Sequence, residues 1–134
     1  MTRVITFGTF DMFHIGHLAI LERARAAGDH LTVGLSTDAL TYDKKSRYPI
    51  YSFAERRRIL EALRCVDAVF AEESLENKAR YLREHRADVL IMGDDWRGRF
   101  DDLQSICRVE YLPRTPSIST TETIERIRLI PDES

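Results

Sequence analysis

His14 and His17 stand three residues apart within Gly8-Thr9-Phe10-Asp11-Met12-Phe13-His14-Ile15-Gly16-His17. Glycines let a backbone come close to a ligand, and the amino end of a helix offers unpaired N–H groups to an anion. Imidazoles at i and i+3 share one face of a first helical turn. The stretch therefore suits a phosphate held between two rings and backbone amides. The spacing is also that of half a metal site, although no further His or Cys is placed to complete it, His30 and His85 falling near strand and helix ends. A structural role for the pair is the remaining alternative. Neither a GxGxxG fingerprint nor a P-loop lysine is present, which disfavours a nicotinamide-dependent dehydrogenase or a kinase.

A second loaded segment is Arg114-Thr115-Pro116-Ser117-Ile118-Ser119-Thr120-Thr121. A guanidinium, several hydroxyls and a helix amino end make a natural clamp for a polyphosphate. The plainer reading is that Ser119 only caps the helix. Residues 43–64 carry Lys44, Lys45, Arg47, Arg56, Arg57, Arg58 and Arg64 against Asp43, Glu55 and Glu61. Part of this excess is a solvated helix face, and part could hold an anion.

These segments need a frame. Val4–Phe7, His30–Leu35, Ala68–Ala71, Val89–Met92 and Val109–Leu112 read as strands, the fourth as a central parallel strand buried on both faces. Between them fall helical patterns: one from about His14 through Leu18, Leu21 and Ala24, and one opened by the capping box Ser52…Glu55 and running through Ile59, Leu60 and Leu63. Others are expected at about 75–85 and after Ser119…Glu122, a second capping box. Residues 36–51 read as a long polar loop, and Asp101–Gln104 as a short helical turn. Alternating strands and helices predict a single-domain α/β fold with a Rossmann-like, doubly wound, parallel five-stranded sheet. The domain is expected over residues 1–130, with 131–134 a frayed tail. In such a sheet the loops at 8–17, 93–98 and 113–121 all leave carboxyl ends of strands and can converge on one crevice.

Composition narrows the classes. The 134 residues are 43% hydrophobic and 31% charged, the profile of a soluble domain. A net charge of −2 gives no reason to expect nucleic acid or an anionic membrane as partner. Cys65 and Cys107 lack CxxC spacing and read as reduced thiols. The immediate entry into a strand leaves no room for a signal peptide, and no apolar run approaches the ~20 residues that span a bilayer. The expected location is the cytoplasm.

Gly8–Asp11 followed by His14-Ile15-Gly16-His17 resembles the HxGH signature of the nucleotidyltransferase superfamily. Arg114–Thr121 resembles the RTxGISTT signature of its cytidylyltransferase branch, with Ser117 where the family has glycine. Met92-Gly93-Asp94-Asp95-Trp96 and the helix with Arg56 and Arg64 fit as well. From residue 3 to about 128 the chain looks like the glycerol-3-phosphate cytidylyltransferase family. That resemblance implies transfer of CMP from CTP to a small phosphomonoester, with Mg²⁺ accompanying the nucleotide, in a homodimer serving cell-wall or capsule synthesis.

Residue by residue, the resemblance places Gly8, Thr9, Phe10, Gly16, Arg64, Gly93, Asp94, Asp95, Trp96, Arg114, Thr115, Ile118, Ser119, Thr120 and Thr121 at the nucleotide. Asp11, Lys44 and Lys78 fall at the acceptor. The expected chemistry is in-line attack of an acceptor phosphate oxygen on the α-phosphorus, with pyrophosphate leaving. His14, His17, Lys44, Lys45 and Arg114 stabilise the transferring and leaving phosphates. Mg²⁺ is held mainly by phosphates, with Asp11 as the one candidate protein contact. Alternatives are a different phosphate or phosphonate acceptor, an adenylyltransferase of the same fold, or a catalytically silent nucleotide-binding subunit.

Overall fold

The structure is a computed structural model and describes residues 1–113 and 120–131. Each apolar run becomes a parallel strand. β1 (Arg3–Gly8), β2 (His30–Ser36), β3 (Ala68–Glu72), β4 (Val89–Gly93) and β5 (Arg108–Leu112) form one sheet in the order β3-β2-β1-β4-β5. The chain winds outward from β1 to β3, then returns to the other side of β1 with β4. This reversal between β1 and β4 is where an open α/β sheet leaves a ligand crevice at its carboxyl edge.

Alternation along the strands sends side chains to two cores. Val4, Leu31, Val33, Leu35, Val89 and Ile91 pack with Leu21 and Ala24 of α1 (Ile15–Ala26) and Leu60 of α3 (Phe53–Glu61). Ile5, Phe7, Leu90 and Met92 pack on the opposite face with Tyr81 and Leu82 of α4 (Lys78–Glu84). Coverage on both faces is why these strands read as continuous apolar runs. Gly34 pairs with Phe7 on one side and Phe70 on the other. A Cβ there would lie 2.3 Å from the Phe7 ring, so the glycine makes room for the edge-to-face contact of the two rings at 5.8 Å.

The sequence expectations need correction or refinement in several places. Residues 36–51 are not one loop, for α2 (Asp38–Lys45) lies within them, capped by Thr37, whose hydroxyl accepts from the Leu40 amide. The polar composition that suggested a loop is the solvated face of a short helix. The helix from Phe53 ends at Glu61, and Leu63 lies in the tighter turns that follow. The segment expected at 75–85 is a 3₁₀ turn, Leu75–Asn77, leading into α4. The turn near Asp101 is a 3₁₀ element, Asp101–Ser105. Beyond it, α5 (Thr120–Leu129) closes the described chain.

Candidate active site

The turn from β1 to α1 is sharply bent. Phe10 and Met12 take positive φ, 51° and 48°, a region that costs bulky residues energy and recurs at functional sites. The bend folds the Phe10 ring back over Gly8, where a Cβ would sit 2.7 Å from it. Glycine is therefore required by a close approach within the turn.

His14 is the N-cap of α1, with extended backbone and an Nδ1 that accepts from the Gly16 amide at 3.0 Å. His17 completes the box in the other direction, its Nδ1 accepting from the His14 amide at 3.3 Å. With both Nδ1 atoms accepting, the neutral rings carry their proton on Nε2. The rings are stacked, and that of His17 also meets Phe10 and Phe13. This burial, with His14 and Lys45 nearby, pushes the His17 pKa down to about 3, and burial lowers that of His14. His14 Nε2 is buried without a partner among the described residues. The site thus presents neutral imidazole N–H donors at the amino end of a helix whose first amides the rings themselves cap.

A cavity of about 120 Å³ opens at the neighbouring Gly8 and Thr9 and is lined by Lys44, Lys45, Glu72 and Lys78. Lys44 donates to Ser36 Oγ at 2.7 Å, and its pKa is pushed down to about 8, chiefly by burial and against the pull of Glu72. Burial likewise lowers Lys45, with Arg47 adding to it and Asp11 opposing. Desolvated ammonium groups are primed to take up an anion.

Asp11 is 3% exposed and holds the turn in place. Its carboxylate accepts from the amides of Ile50 at 2.6 Å, Tyr51 at 2.9 Å and Met12 at 3.0 Å. Its carbonyl accepts from Thr120 Oγ1 at 2.8 Å. Both carboxylate oxygens are therefore engaged by backbone, a different duty from the acceptor or metal contact expected of Asp11. The bond to Thr120 brings the start of α5 against the first turn, and Arg47 reaches Thr121 Oγ1 at 3.4 Å.

Arg56 is the buried hub of the crevice at 1% exposure. It donates to the carbonyls of Tyr51, Thr9 and Ser36 and to Asp38. Arg64 instead is exposed and lines a separate groove with Leu18, Glu22, Arg25, Leu63 and Cys65. Lys78 reaches the wall of the same cavity, 3% exposed and bonded to Glu72 at 2.6 Å. Asp94 pairs with Arg97, and Trp96 joins the cavity wall beside Met92. Arg114, Thr115, Ile118 and Ser119, expected at the nucleotide, lie outside the described residues. Sequence reasoning missed Ser36 and Glu72. Both are polar residues ending otherwise apolar strands at the ligand edge, a signal that could have found them.

Among the described residues no three His, Cys, Asp or Glu side chains gather as a metal site. With Asp11 engaged by amides, no residue described here is assigned as a Mg²⁺ ligand.

A family model described as cytidylyltransferase-like matches residues 5–126. The glycerol-3-phosphate cytidylyltransferase of Bacillus subtilis (strain 168) is 47% identical over 127 residues, covering 95% of this chain and 98% of its own. That of Staphylococcus aureus (strain NCTC 8325 / PS 47) is 44% identical over 122 residues, covering 91% and 92%. Among solved structures, the lipopolysaccharide core biosynthesis protein from Thermoplasma volcanium GSS1 superposes with a TM-score of 0.73 at 24% identity, covering 86% of this chain and 97% of its own. That likeness concerns the fold.

Proposed function

The chain belongs to the cytidylyltransferase-like family, and from that premise we propose that it transfers the cytidylyl group of CTP to sn-glycerol 3-phosphate, giving CDP-glycerol and pyrophosphate. The choice of acceptor is supported by relatives that are 44–47% identical and matched over more than nine-tenths of their length.

The observation that carries the chemistry is the double histidine cap. Both Nδ1 atoms are spent on backbone amides at the start of α1, which leaves both Nε2–H groups as donors. An acceptor phosphate oxygen attacks the α-phosphorus, and the bond to the bridging oxygen breaks with its electron pair leaving on pyrophosphate. A phosphomonoester, with a second pKa of ~6, is already largely dianionic at pH 7, so no residue need act as base. The protein's task is to position the groups and to offset growing negative charge. His14 and His17 donate to the phosphate oxygens, the amino end of α1 adds its dipole, and Lys44 and Lys45 add positive charge. Arg114, Ser119 and Thr121 are proposed for the outer phosphates, and Gly93–Trp96 for the nucleoside. Mg²⁺ accompanying CTP would supply further neutralisation of phosphate charge.

We propose in addition a homodimer working in the cytoplasm. The resemblance supports the first, and the free Cys65 and Cys107 support the second. Sedimentation at twice the chain mass is the expected result.

The deciding assay incubates the protein with CTP, Mg²⁺ and glycerol 3-phosphate and follows pyrophosphate and CDP-glycerol. Formation of both is expected. Absence of product, or equal use of ATP, overturns the reading.

A further inference from the structure

The crevice contains a second polar arrangement beside the histidine cap. Ser36 and Glu72 end β2 and β3, lie opposite each other in the sheet, and are both 0% exposed. Glu72 Oε2 accepts from Lys78 Nζ at 2.6 Å, and Oε1 accepts from Ser36 Oγ at 3.2 Å. Ser36 Oγ in turn accepts from Lys44 Nζ at 2.7 Å. A carboxylate this deeply buried is strongly unfavourable unless it is paired. Here one carboxylate anchors two ammonium groups at the cavity wall, Lys78 directly and Lys44 through Ser36.

The charge of that wall does not balance. Lys44, Lys45 and Lys78 stand against Glu72 alone. Lys78 also lies 4.2 Å from the centre of the Phe7 ring and 5.0 Å from that of Phe100, which fixes it over apolar surface. Thr9 Oγ1, in the same wall, is buried and without a partner among the described residues. A volume near 120 Å³ has room for only a small organic group, about four waters' worth.

Resting on the cytidylyl-transfer reading above, we infer that Glu72 is a positioning residue that sets acceptor choice, so that the cavity takes a small phosphomonoester whose organic part is neutral and hydroxylated and rejects one that carries an ammonium. The phosphate dianion offsets the surplus positive charge. A hydroxyl on the acceptor finds the unspent Thr9 hydroxyl. An acceptor ammonium would be a fourth cation in a poorly solvated cavity, and the one carboxylate in the wall is already committed to Lys78 and Ser36.

The test uses two esters of equal size, 2-hydroxyethyl phosphate and 2-aminoethyl phosphate, with CTP as donor. The unmodified protein should favour the hydroxyl ester in kcat/KM by about 30-fold or more, the scale of one added charge among others at an effective dielectric of ~20. A ratio within threefold, or a preference for the amine, overturns the inference while leaving cytidylyl transfer intact. If neither ester nor glycerol 3-phosphate releases pyrophosphate, the cytidylyl-transfer reading fails and takes this inference with it.

Lys78→Gln leaves the Glu72 charge unpaired and should move the preference at least about tenfold toward the amine. Adding Glu72→Gln should reverse that move. A merely structural role would depress both esters alike, and an unchanged ratio in Lys78→Gln would also sink the proposal. Should Lys78→Gln not fold, the comparison on the unmodified protein still decides.

Discussion

The imidazoles of His14 and His17 lie with centroids 3.7 Å apart and planes inclined by 21°, and each Nδ1 accepts a backbone N–H of the helix start. One side of each ring caps α1, and the opposite nitrogen takes no part in the cap. Capping and the chemistry proposed for these rings therefore fall on different atoms of the same side chain and can be separated by substitution.

His14→Asn keeps an accepting side chain at the N-cap and removes Nε2, whereas His14→Ala removes both. The alanine variant should lose about 1 kcal/mol in urea unfolding and the asparagine variant much less. Both should lose ~10²–10³ in kcat at saturating CTP, the usual result of deleting one transition-state donor. A kcat within threefold of the parent in either variant would remove His14 from the chemistry.

The stability of the fold should depend on pH through His17. Its pKa is about 3 in the folded chain against 6.5 ordinarily. The unfolded chain therefore binds the proton first. Its contribution is fully present above pH 6.5 and is lost as pH falls from there toward 3. Between pH 7.5 and 5 this group alone should cost the folded state about 2 kcal/mol. His17→Asn should flatten the profile by that amount in urea titrations at the two pH values, and identical profiles would contradict the assignment.

Lys44 should give the activity profile an alkaline limb. With a pKa near 8 in the free protein, its ammonium form declines as pH rises through that value. If that charge serves catalysis, kcat/KM should fall above about pH 8, because this ratio reports the free enzyme. Lys44→Arg keeps a charge that does not titrate below ~12, so the alkaline limb should vanish even where the overall rate drops. Persistence of the limb would assign it to another group.

Arg56→Lys tests the hub beneath the crevice. Arg56 spreads four hydrogen bonds over Tyr51, Thr9, Ser36 and Asp38, which the single nitrogen of lysine cannot span. A loss of about 3 kcal/mol is expected, the scale for disrupting a buried ion pair. Arg58→Lys, on the exposed side of the same helix, should stay within ~0.5 kcal/mol. Equal effects would mean that the buried network does not stabilise the crevice.

Much of the architecture was legible because it rests on local patterns. Apolar runs of four to six residues marked the five strands, and Ser52…Glu55 marked the start of α3. The 36–51 region misled for a physical reason. Helix α2 has a single turn's worth of buried contact, Leu40 and Thr41, too little to impose a visible period on a polar sequence.

The candidate site divides in the same way. His14, Gly16 and His17 are close in sequence, so their spacing alone put two rings on one helix start. Glycines at the first turn and the two lysines before Ser46 were likewise readable as anion-holding chemistry. Arg56, Arg57 and Arg58 are chemically identical neighbours, and no sequence rule chooses among them. Helix rotation does: it turns Arg56 under the crevice, sends Arg57 to the Val69 carbonyl and Glu61, and leaves Arg58 in solvent. Ser36, Glu72 and Lys78 became one network only because parallel pairing aligns the ends of β2 and β3 and sets α4 beside them. The burial that holds Lys44 near pKa 8 comes from that assembly. Local spacing determined which groups could grip a phosphate; packing decided which charges are spent within the protein and which face the cavity, because desolvation and pairing depend on neighbours far away in the chain.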